Sequence, residues 1–94
     1  MSRPRAVPTV QIENDRVRVT EWRFGAGAET GRHRHALDYV IVPMTTGLLE
    51  LETPEGVVES ALKAGASYSR LAGVEHNVIN PNEHEFVFIE IELK

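Results

Sequence analysis

Two histidines one residue apart, His33 and His35 in the stretch GRHRHALDYV, are the residues whose type and spacing first suggest chemistry. On a β-strand alternate side chains share a side, so both imidazoles can enter one cavity while Arg32 and Arg34 point away. The same residues also suit a basic surface patch, and a tight metal site needs a third ligand. His76, in AGVEHNVIN, is the candidate: it follows a turn marked by Gly73, and Val78 and Asn80 share its side. Taken alone, a histidine among apolar residues is more often a packed core residue than a ligand. The chain has no cysteine, so any metal must be held by imidazoles and oxygens. His84, in the turn PNEHEF, is off this spacing and is assigned no ligand role.

The elements that must position these residues read as short strands. TVQIE and RVRVTEWRF flank a hairpin-like Asn14-Asp15 turn, and the glycine-rich GAGAETG leads into the histidines. YVIV, LLELE and VVESAL follow, separated by the turn-prone PMTTG and TPEG; ASYSRL, HNVIN and the long EFVFIEIELK close the chain. The best helical candidate, VVESALKAG, is too brief for a helix and is read as a strand. Alternation over the last strand assigns Val87, Ile89, Ile91 and Leu93 to the core. Phe86 and Phe88 then share the outer face with Glu90, as a subunit interface or a surface covered by the N-terminal segment. The expected architecture is all-β: a flexible segment over residues 1–8, then one small antiparallel jelly-roll β-barrel over residues 9–94.

With the strands laid out, the chain resembles the cupin superfamily. The first cupin signature runs glycine, five residues, HxH, three or four residues, glutamate, six residues, glycine; Gly27, His33, His35 and Gly47 fall on it. The second runs glycine, five residues, proline, one residue, glycine, two residues, histidine, three residues, asparagine. Gly65, Gly73, His76 and Asn80 match it, with Leu71 in the proline position. The resemblance implies that His33, His35 and His76 bind one divalent transition metal inside the barrel: iron, zinc, manganese or nickel.

The sequence departs from the family pattern where a glutamate ligand is expected, since Tyr39 and Val40 stand there and Asp38 is the nearest carboxylate. Two arrangements are open. Asp38 can reach in through a bulge as a fourth ligand or act just outside the ligand set, or three histidines hold the ion with Tyr39 facing the cavity. The second needs no irregularity and is favoured. It resembles the three-histidine sites of thiol and diketone-cleaving dioxygenases, which implies a catalytic role for Tyr39. Tyr68, Arg70 and Arg23 are candidates for substrate binding, arginine because its planar fork matches a carboxylate.

A net charge of -4 with no Lys/Arg stripe argues against nucleic acid or an anionic membrane as partner, and no apolar run approaches a membrane span. A cytoplasmic protein with a small-molecule ligand is expected. So is a homodimer, because 94 residues are near the lower end of what buries a self-sufficient core. The leading function is a metal-dependent dioxygenase acting on a small organic or amino-acid-derived metabolite. The alternatives are a metal-dependent isomerase or lyase, and a non-catalytic small-molecule-binding module. HxHxxDYV and GVEHNVIN also resemble short bacterial cupins associated with β-alanine degradation.

Overall fold

The computed structural model describes residues 2–94; Met1 lies outside them. Nine strands run in chain order: β1 (Val7–Glu13), β2 (Val17–Phe24), β3 (His33–Arg34), β4 (Tyr39–Pro43), β5 (Gly47–Thr53), β6 (Gly56–Leu62), β7 (Tyr68–Arg70), β8 (Glu75–Ile79) and β9 (Phe86–Leu93). They form a five-stranded sheet, β1-β2-β9-β4-β7, and a four-stranded sheet, β3-β8-β5-β6. All pairings between these strands are antiparallel, as expected for a jelly roll. No helix among the described residues is long and apolar enough to cross a membrane.

Local chemistry sets the turns. Asn14 Oδ1 accepts from the backbone N–H groups of Arg16 (2.8 Å) and Val17 (3.0 Å), closing the β1–β2 hairpin. The segment that came nearest to a helical pattern is β6, paired with β5 along its whole length from Gly47↔Leu62 to Thr53↔Gly56.

Two expectations are corrected. Residues 4–6 are tied down rather than loose: Ala6 N–H donates to Glu29 O (2.8 Å), Glu29 N–H donates to Pro4 O (3.0 Å), and Ala6 is buried. The other correction concerns β9, whose facing is the reverse of that expected. Phe86 and Phe88 are core residues and Glu90 is 8% exposed, whereas Val87, Ile89 and Ile91 lie half-buried on the outer side. Alternation specifies a strand's two faces but not which one turns inward when both carry apolar side chains. Here the inner side takes the aromatic rings, which pack against each other on neighbouring strands: the rings of Phe24 on β2 and Phe88 on β9 lie 5.4 Å apart, centre to centre.

The register grades the inner face of the larger sheet from apolar to polar. Phe24 pairs with Phe86; the next inward row is Trp22, Phe88 and Pro43; then come Thr20, Glu90, Ile41 and Tyr68; last are Arg18, Glu92, Tyr39 and Arg70. One end of the barrel is therefore filled, and the other is equipped for chemistry.

Candidate metal centre

β3 and β8 bring His33 directly opposite His76. His35 lies past the end of β3, and its backbone is held by the turn before β8: its N–H donates to Val74 O (2.9 Å) and its O accepts from Gly73 N–H (2.8 Å). Gly73 takes a φ of 102°, which a side chain would strain, so the glycine of the second signature shapes the clamp on His35. Asp38 secures the same turn by accepting from Ala72 N–H (2.7 Å) and is itself exposed. Asn77 orders the other approach, its Oδ1 accepting from Gly31 N–H (2.9 Å). Gly31 O in turn takes the Nδ1–H of His33 (2.8 Å), which leaves His33 Nε2 as a lone pair.

The three Nε2 atoms converge. His35 Nε2 lies 3.0 Å from His33 Nε2 and 3.0 Å from His76 Nε2. One imidazole nitrogen carries a proton or a lone pair and cannot make a good hydrogen bond to both neighbours; a cation taking three lone pairs removes the conflict. Ligands at right angles with metal–nitrogen bonds of about 2.1 Å stand about 3.0 Å apart, against about 3.4 Å for tetrahedral angles. Both spacings around His35 are short enough for His33, His35 and His76 to hold one ion between them. Burial, followed by the neighbouring imidazoles, brings His35 and His76 down to about 4, so both are neutral and fit to ligate near pH 7. The donor set fits a divalent transition metal.

Around the cluster is a cavity of about 110 Å³, well below the roughly 300 Å³ at which drug-sized pockets begin, so it suits a metabolite of few heavy atoms. Tyr39 enters it and stacks on His35, with ring centres 3.9 Å apart. Burial, then Tyr68, pushes its hydroxyl up to about 12, so it stays a donor. Tyr68 and Arg70 also line the cavity, the guanidinium 4.6 Å above the Tyr68 ring. Arg23 is not brought there. Its strand turns Trp22 and Phe24 inward, and Arg23 points out to pair with Glu85 (2.7 Å) and Glu21 (3.3 Å). Asp38 is likewise outside the histidine cluster.

Two residues of the site escaped the sequence reading. Glu90 lines the cavity with its Oε2 3.9 Å from His35 Nδ1, and Trp22 Nε1–H donates to its Oε1 (3.4 Å). Burial raises the Glu90 carboxyl to about 7, with Glu92 adding to the shift and the Trp22 hydrogen bond opposing it. The one available signal was that Glu90 shares a face with Phe86 and Phe88.

The chain is 65% identical over 92 residues to the β-alanine degradation protein BauB of Pseudomonas aeruginosa, covering 98% of this chain and 97% of that one. It is 69% identical to a cupin domain of Bordetella pertussis Tohama I, whose crystal structure superposes with a TM-score of 0.99 over 100% of this chain and 98% of that chain. The chain is a cupin. Both resemblances read from its motifs, to the superfamily and to the β-alanine-associated cupins, are borne out. A conserved protein with a double-stranded β-helix domain from Klebsiella pneumoniae shares the fold of this cupin at 22% identity, with a TM-score of 0.79 over 99% of this chain and 80% of that chain. No family model matches this cupin.

Proposed function

We propose that this cupin is a metal-dependent enzyme acting on a small organic or amino-acid-derived metabolite, and that it is a dioxygenase. The reading rests on one observation, His35 Nε2 at 3.0 Å from the Nε2 atoms of both His33 and His76 in the wall of a small cavity. His33, His35 and His76 would hold a divalent metal, which as iron(II) would supply the electrons that oxygenation requires. Tyr39 holds its proton and presents a hydroxyl donor toward the substrate. Arg70 offers a carboxylate a two-pronged partner at the polar end. The name of the β-alanine degradation protein supports a substrate derived from a small amino acid.

Glu90 favours a second reading, an isomerase or lyase: a carboxyl near 7 in the cavity wall suits proton transfer at neutral pH. Metal analysis by mass spectrometry, paired with oxygen uptake after anaerobic iron(II) loading, separates the two. Substrate-dependent uptake with small amino or thiol acids is expected. Bound metal without uptake shifts the function to proton transfer or binding, and failure to take up metal after reconstitution sinks the metal centre.

The expected homodimer is proposed on the outer face of the five-stranded sheet, where Val19, Ile91 and Val40 form one apolar row and Ile89 and Val42 another. Replacing Ile91 by Glu is expected to convert a dimer to a monomer in sedimentation. Identical masses for the two proteins would remove this face from the interface.

A further inference from the structure

The cavity is lined by a carboxyl group and a guanidinium that do not pair with each other. Arg70 forms no ion pair among the described residues; its guanidinium donates to Ser69 O (3.1 Å) and rests on the Tyr68 ring. Glu90, on the neighbouring inward row, makes one hydrogen bond, the long one from Trp22 Nε1 to Oε1. Its Oε2 has no hydrogen bond, and the nearest basic group is His35 Nδ1 at 3.9 Å. A carboxylate this enclosed is ordinarily paired or fully hydrogen-bonded, because taking it out of water without a partner is costly. Among the described residues every fully buried side-chain nitrogen or oxygen has a hydrogen-bond partner, so the unused capacity of Glu90 faces the cavity. Trp22, Tyr39 and Tyr68 line the same space, and aromatic faces attract a cation.

We infer that the cavity is a zwitterion site: it takes a small amino acid whose ammonium group is received by Glu90 within the Trp22, Tyr39 and Tyr68 rings and whose carboxylate is received by Arg70. This deepens the small-metabolite reading above and rests on it. It makes Glu90 the residue that selects for an amine, and it limits the substrate to one short enough for a cavity of about 110 Å³.

Calorimetric titration of the full chain, both chelator-treated and zinc-loaded, with 3-aminopropanoate, propanoate and propylammonium tests the inference. The wild type is expected to bind 3-aminopropanoate about tenfold or more tightly than either half-molecule, the range of a hydrogen bond to a charged group. Glu90→Gln is expected to erase the advantage over propanoate. Arg70→Gln is expected to erase the advantage over propylammonium. A wild type without preference, a Glu90→Gln protein that still prefers the amine, or no binding of glycine, 3-aminopropanoate or 4-aminobutanoate would overturn the inference. Metal content, measured in parallel, keeps the two readings apart. Zwitterion binding without metal would defeat the metal centre alone, and metal binding without zwitterion selectivity would defeat this site alone.

Discussion

The two ends of the barrel interior are built from the same strands and solve opposite problems. At the filled end Phe24 and Phe86 are essentially inaccessible and stabilise the fold through close packing. At the other end the same sheets carry three imidazoles, a buried carboxyl, two tyrosines and an arginine around a cavity. The polar end gains little from burial and depends on partners outside its own side chains, a cation for the histidines and a ligand for Glu90 and Arg70. Stability and function are thus separated along the barrel axis, a few rows of strand register apart.

The most severe break in that separation is expected from His76→Ala. Two histidines remain, both from the β3 segment, and metal affinity should fall by more than about 100-fold, beyond the 10- to 100-fold typical of groups outside the ligand set. Elemental analysis of the purified variant reads the loss, and unchanged metal content would defeat the assignment. Phe86→Ala strikes the filled end instead. It should cost about 3–5 kcal/mol in urea unfolding, a large part of a small domain's roughly 5–15 kcal/mol, while the folded fraction keeps its metal stoichiometry. A loss of metal equal to that of His76→Ala would show that the two ends are not independent.

Acid should weaken the polar end selectively. Below pH 6.5 the unfolded chain protonates His35 and His76, which stay neutral in the fold down to about 4, so stability falls as pH drops through that window. Glu90 acts the other way: folded, it gains a proton at about 7 that the unfolded chain takes up only near 4.5, so it adds stability as pH falls between those values. Two protons outweigh one. The Tm of chelator-treated protein should therefore decline from pH 6.5 to 4, more steeply in Glu90→Gln; a flat profile would show that the histidines are not held neutral. The smallest effect is expected from Asp38→Asn, because an amide oxygen can still accept from Ala72 N–H. Metal affinity should change by less than about threefold, well short of the 10-fold minimum typical of groups that support metal ligands. A marked drop would reinstate Asp38 as a ligand.

Much of this was legible in the chain itself. The strands, the Asn14 turn and the spacing of the glycines and histidines are local features, and the His33–His76 juxtaposition follows from motifs that lie on paired strands. Tyr39 was placed correctly because parity carried from His33 and His35 across the intervening turn. Glu90 was missed and Arg23 over-read for a shared reason: β2 and β9 carry branched apolar residues on the side away from the cavity, so polarity along either strand does not reveal which side faces in.

The sequence by itself determined the all-β class, the cupin motifs and the three histidines, since strand alternation and turn chemistry act over a few residues. Tertiary structure alone decided which face of β9 lines the cavity, that Asp38 holds the turn beneath His35, and that Glu90 and Arg70 share a space without pairing. Those outcomes depend on what lies across the barrel, where aromatic volume has to fill one end and polar groups need partners at the other.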